Sequence, residues 1–202
     1  MSKVILDACC GSRMCWFDKE HPAAVYMDCR ELETELCDGR KLVIRPDVVG
    51  DFRAMPFADC SFRLVVFDPP HLRWCGEGSW MKAKYGQLNR ETWQDDLRRG
   101  FAECFRVLMP HGVLVFKWNE RQVKLNEVVK LAPMPPLFGQ RAGKTHWLVF
   151  MKPMPEALEH PGMDEEQAQE TVCALENVVH DLVHGKTHAP SQVLQSRDFD
   201  IE

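Results

Sequence analysis

No two of the nine cysteines form a C-x-x-C pair; Cys9 and Cys10 are adjacent and the rest are scattered. That spacing suits neither a zinc site nor the disulfide framework of a small secreted domain. Free thiols in a reducing cytoplasm are the expectation, with no metal. No apolar run approaches the ~18 residues of a membrane span, so no membrane partner is expected. Strand-like sequence begins at Lys3, so no signal peptide is expected either. No internal repeat is visible.

What the chain does have is 202 residues, 45% of them apolar, enough for one cored domain with an appendage. The net charge of −5 hides an asymmetry. Residues 1–152 carry 23 Lys and Arg against 19 Asp and Glu, a net +4, and residues 153–202 carry 2 against 11, a net −9. A mildly basic body is compatible with a nucleic-acid partner without requiring one.

Short apolar runs recur, several ending at an acid. Val4-Ile5-Leu6 stops at Asp7, Ala23 to Met27 at Asp28, Asp47-Val48-Val49 at Gly50-Asp51, and Leu64 to Phe67 at Asp68. Gly112 to Lys117 and His146 to Met151 follow, with a short strand expected near Pro136–Phe138. The runs are continuous rather than alternating, as in strands covered on both faces. Between them, Trp93, Leu97, Phe101, Phe105 and Leu108 step by four, four, four and three, which predicts a helix from Thr92 to Leu108. Thr92 and Asp95 are placed to cap it. Leu125 to Leu131 reads as another helix. Alternating strands and helices argue a doubly wound α/β sheet of about seven strands.

Composition shifts after residue 152. Pro153, Pro155, Pro161 and Gly162 form a linker, and Asp164 to His184 predicts an amphipathic helix striped by Ala168, Val172, Leu175, Val179 and Leu182. That stripe needs burial, on the body or against a second copy as a homodimer. The last 15 or so residues are expected to be disordered.

Ligands of open α/β sheets bind at the carboxyl ends of the strands. Four features collect there. The turn Asp7-Ala8-Cys9-Cys10-Gly11-Ser12 is small enough for a ligand to approach the backbone. Asp28, 21 residues after Asp7, stands where a carboxylate reaches ribose hydroxyls. Asp51 is placed to accept from an adenine amino group, with Phe52, Met55 and Phe57 to wall the base. Asp68-Pro69-Pro70-His71 then puts a carboxylate beside a turn stiffened by two residues without N–H donors, leaving carbonyls free to accept.

LDACCGS, Asp28, GDFRAMPFADCSFRLVVFDPP and FRVLMPHGVLVFKW together resemble the class I S-adenosylmethionine-dependent methyltransferases, over most of residues 3–152. The Asp-Pro-Pro motif resembles more narrowly the amino-methyltransferase branch, which includes N6-adenine and N4-cytosine methyltransferases of DNA and RNA, and the compact form resembles small phage and prophage enzymes. The chain departs from the usual pattern twice. Gly11 is the one glycine of the first turn, and His71 stands where the branch has Tyr, Phe or Trp.

The resemblance implies S-adenosylmethionine as cofactor, S-adenosylhomocysteine as product, and a methyltransferase domain over residues 1–152. Cofactor contacts fall to Asp7, Cys9, Gly11, Asp28, Asp51 and Phe52. Asp68 and the Pro69 carbonyl would accept both hydrogens of an exocyclic amine, and Pro70 stiffens the turn. His71 either stacks on the base or moves a proton. Arg73, Trp74, Trp80, Lys82 and Lys84, with Tyr85, interleave basic and aromatic residues after the motif, as in surfaces that hold single strands or flipped bases; Lys117-Trp118-Asn119 also lies on the ligand edge, with Trp118 placed either to wall the base or to pack as core. No segment is long enough for a separate target-recognition domain. The expected activity is methyl transfer to adenine N6 in nucleic acid, DNA ahead of RNA. A protein glutamine or small amine is the alternative substrate, and a non-catalytic subunit the alternative role.

Overall fold

The computed structural model describes residues 3–76 and 79–154. Its strands are β1 (Ile5–Asp7), β2 (Ala24–Asp28), β3 (Leu32–Glu35), β4 (Lys41–Ile44), β5 (Val48–Val49), β6 (Phe62–Phe67), β7 (Leu108–Asn119), β8 (Phe138–Ala142) and β9 (Thr145–Met151). Three helices accompany them, α1 (Trp80–Tyr85), α2 (Trp93–Val107) and α3 (Leu125–Val129). Seven strands make one sheet in the order β5-β2-β1-β6-β7-β9-β8. Every pairing from β5 to β7 is parallel, and β9 runs antiparallel to both β7 and β8. The strand order reverses between β1 and β6, so the ends of these two strands frame the ligand crevice of an open sheet.

One face of this sheet is the core. Leu6, Val65, Phe67, Leu114, Phe116 and Phe150 are buried in one cluster with Leu97, Phe101 and Cys104 of α2. The rings of Phe67, Phe101 and Phe116 sit 4.9–5.8 Å apart, and truncating one such ring typically costs ~3–5 kcal/mol. α2 can lie this close because position 100 is glycine. A Cβ there would meet Phe52 Cδ2 and Phe67 Cζ, each at 2.7 Å.

The connections differ from the expected alternation. Turns, not a helix, join β1 to β2, and the antiparallel pair β3–β4 fills the connection from β2 to β5. The Asp38-Gly39 turn explains the pair: Gly39 takes φ +79, and Leu36, Leu42 and Ile44 bury a small core of their own. The expected cap of α2 is also different. The Thr92 hydroxyl accepts no N–H of the helix backbone; it donates to Asp96 Oδ2 at 2.9 Å, and Asp96 is buried and ion-paired to Arg53. The linker beyond Met154, the amphipathic helix and its dimer contact lie outside the described residues. Among the described residues no helix is long and apolar enough to cross a membrane.

Candidate active site

The turn after β1 is organised by two carboxylates. Asp28, at the end of β2, accepts the Gly11 N–H at 2.9 Å on Oδ2. Gly11 needs φ +49, and a Cβ there would meet nothing within 4 Å, so its backbone faces open space. Asp7 accepts the Trp16 indole N–H at 2.7 Å and the Cys9 N–H at 3.3 Å. Burial pushes the Asp7 carboxyl up to about 7, helped by the charges of Asp68 and Asp28 and opposed by its two hydrogen bonds.

Asp28 is also gripped by Arg30. The Arg30 backbone N–H and Nε each donate to Oδ1 at 3.0 Å and Nη2 donates to Oδ2 at 3.3 Å, while Nη1 reaches the Ala83 carbonyl in α1 at 3.0 Å. Arg30 therefore ties the end of β2 to the short helix over the crevice.

These residues line one cleft. Asp7, Cys9, Gly11, Asp28, Phe52 and the Asp68–His71 motif all face it, and so do Arg30, Cys15, Lys84, Tyr85 and Lys117. A second pocket opens beside it, lined by His71, Trp80, Met81, Tyr85, Asn119, Arg121 and Thr145. Asp68, His71, Tyr85 and Lys117 border both. The His71 and Tyr85 rings are 5.4 Å apart, and Trp80 is 6.4 Å from Tyr85.

Asp68 accepts a hydrogen bond from Lys117 Nζ at 2.5 Å on Oδ2. Burial raises its pKa from the ordinary aspartate value, and the lysine opposes the rise. His71 goes the other way. Burial, with the charges of Lys117 and Arg121, lowers it to about 4, so the ring is neutral at physiological pH.

The remaining expected residues scatter. Asp51 is not on the cleft. Its carboxylate is held by Arg53 at 2.5–3.0 Å, which lowers its pKa, and of the segment after it Phe52 lines the cleft. Met55 and Phe57 pack into the core. Trp118 is core as well, fully buried with its indole N–H on the Val123 carbonyl at 3.0 Å, so it does not wall the base. Arg73 lies over the Trp93 ring at 5.3 Å. Trp74 is exposed, and the Gln122 side chain pins its backbone N–H and carbonyl. Lys82 faces a groove against Thr34–Cys37 rather than the pocket. Of the expected substrate residues, Trp80 reaches the second pocket and Lys84 the cleft.

Arg30 was not singled out from sequence. Lys117 and Asn119 stand on the ligand edge at the end of β7, as expected, and the period-two alternation of that strand sets which face each takes. Val66 pairs with Val115 and Phe67 with Phe116, so Lys117 falls beside Asp68 on one face while Trp118 turns to the other.

No protein-family model matches the chain, and no curated protein matches it in sequence. Solved structures do resemble it. The PH0226 protein from Pyrococcus horikoshii OT3 shares 17% identity at a TM-score of 0.50, over 76% of this chain and 82% of its own. A TehB-like SAM-dependent methyltransferase from Corynebacterium glutamicum shares 15% at 0.44, over 75% and 82%. The 1,6-didemethyltoxoflavin-N1-methyltransferase of Burkholderia thailandensis, with its substrate and S-adenosylhomocysteine bound, shares 12% at 0.47, over 75% and 72%. At the level of the fold the chain is similar to the PH0226 protein, as a Rossmann-like seven-stranded sheet.

Proposed function

We propose that this protein transfers a methyl group from S-adenosylmethionine to an exocyclic amino group, with adenine N6 in nucleic acid as the substrate and DNA ahead of RNA. The observation that carries the reading is the position of Asp68, a carboxylate fixed at a strand end by two prolines, on the border between a cleft and an aromatic pocket. When bound, S-adenosylmethionine supplies an electrophilic methyl carbon on a sulfonium.

The residues fit that cofactor. Gly11 leaves open space over its backbone, Asp28 is an acceptor at the end of β2 for ribose hydroxyls, and Phe52 gives an apolar wall. Asp28 already accepts four hydrogen bonds, three of them from Arg30, so a ribose would take over lone pairs that Arg30 now uses.

Exocyclic amines of bases are poor nucleophiles because the lone pair is shared with the ring. Asp68 and the Pro69 carbonyl accept the two N–H hydrogens and draw the nitrogen out of conjugation. Most of the rate gain then comes from positioning and fixed acceptors. His71, Tyr85 and Trp80 hold a flat ring, which favours a base over an aliphatic amine. The lost proton leaves after the nitrogen has become cationic, so no strong base is needed.

The test is incubation with methyl-labelled cofactor and separate pools of DNA, RNA, protein and free amines, followed by nucleoside mass spectrometry. Label in N6-methyladenine is expected. Label confined to protein or free amines would redirect the reading to those substrates, and cofactor binding without transfer would favour a non-catalytic subunit.

A further inference from the structure

Lys117 takes no part in the steps above, yet it sits at their centre. It lines both the cleft and the aromatic pocket, and its ammonium donates to the same carboxylate that a substrate amine would need. The Cys15 thiol is 3.6 Å from Nζ, and the Trp147 ring centroid is 5.4 Å away. A cation leaving Asp68 therefore has a second favourable place within a side-chain rotation, over an aromatic face.

We propose that Lys117 is the positioning residue of the acceptor site: before substrate arrives its ammonium fills the amine's seat on Asp68, and the amine takes that seat by displacing it toward Cys15 and Trp147. The proposal rests on the amino-methyltransferase reading.

The seat works best while Asp68 is ionised, because a protonated carboxyl carries a donor on one of its oxygens. Burial works against that by raising its pKa. Asp7 on β1 stands nearby as a second carboxyl, the Cys15 thiol donates to Oδ2 at 4.0 Å, and His71 is neutral near pH 7 and brings no charge. Arg121 lines the second pocket and acts on His71. Lys117, on β7, is the cation in contact with Asp68 and opposes the rise. The same residue thus keeps the acceptor charged and marks where the donor goes.

A carbon-13 titration of labelled aspartate reads this without any substrate, with the Asp68 resonance assigned by its loss in Asp68→Asn. Lys117→Met should move the Asp68 titration upward by about one unit or more, and Lys117→Arg should largely hold it. Lys117→Gln serves as a second neutral variant if the methionine form melts early. In turnover assays the acid limb of kcat/KM, which reports the free enzyme, should move up in pH with the titration. An unmoved titration in both neutral variants overturns the proposal, and so does a moved titration with an unmoved acid limb. Failure of the parent to methylate any amine would instead bring down the functional reading, and the seat with it, whatever the titration shows.

Discussion

Trp16 donates its indole N–H to Asp7 Oδ2 at 2.7 Å, across the turn that stands where a helix was expected. Trp16 packs edge-on to Tyr26 at 5.0 Å, so the indole closes a small core over β1 and β2 and pays part of the cost of burying Asp7.

That cost should be visible as pH-dependent stability. Below about pH 4 the Asp7 carboxyl is protonated in folded and unfolded chains alike. Between about pH 4 and 7 the unfolded chain gives up the proton and the folded one keeps it, so the folded state binds more protons and loses stability as pH rises. Above pH 7 the loss is complete. Asp7→Asn keeps an acceptor for Trp16 and removes the titration. The variant should therefore melt a few degrees above the parent at pH 8, with the gap closing toward pH 5. Calorimetric melts of both proteins across that range check it; a gap independent of pH would assign the effect to packing.

Arg30 joins the Asp28 carboxylate to the helix over the crevice. Asp28→Ala should weaken S-adenosylhomocysteine binding by about tenfold to a hundredfold, or roughly 1.5–3 kcal/mol, by titration calorimetry. Arg30→Ala leaves the carboxylate in place and should cost less. Its signature is different: Nη1 no longer holds the Ala83 carbonyl, so amides of α1 and Gly86 should exchange faster. Equal exchange in parent and variant would show that α1 is held by other contacts.

His71 distinguishes stacking from proton transfer. With its pKa lowered to about 4, the imidazole has no titration between pH 6 and 8. The pH profile of kcat/KM should show no inflection near 6.5 that His71→Phe removes, and His71→Phe or His71→Tyr should keep most of the parent's activity. His71→Ala should mainly raise KM. Aromatic variants as inactive as the alanine form would assign the ring a proton instead.

The strands that hold the site were legible because each is a short apolar run ending at an acid, and β1, β2, β5 and β6 appear where those runs stand. The hairpin β3–β4 was not. Its Asp38-Gly39 turn is a strong local signal, but β3 is largely exposed, and the short run Leu42-Val43-Ile44 of β4 ends at Arg45 rather than at an acid. At the site, Asp7, Gly11, Asp28 and Asp68 were legible as strand-end residues. Of the two roles open to Trp118 the structure gives it the core one, because the alternation along β7 buries Trp118 and presents Lys117. Asp51 was misplaced because sequence does not show that Arg53, two residues on, turns back to hold it. Arg73 is drawn away similarly, by Trp93 in a helix twenty residues later.

Asp68 decides the functional reading. Asp68 lines the aromatic pocket as well as the cleft, whereas Asp28 and Gly11 line the cleft and not that pocket. Asp68→Ala should therefore keep most of the affinity for S-adenosylhomocysteine and lose kcat by a few hundredfold or more, on the order seen when a preorganised polar group is removed. Asp68→Asn separates charge from shape. Its amide still offers one oxygen, but its NH2 meets the substrate's NH2 donor to donor, so it should be nearly as impaired. Lys117 also loses its partner in both variants, so their melting temperatures must be compared to exclude a stability effect. Calorimetry for the cofactor and single-turnover methylation for the chemical step give the two quantities separately. Methylation by Asp68→Ala at the parent rate would end the amino-methyltransferase reading, because the substrate, the seat on Asp68 and the role of Lys117 all depend on that carboxylate.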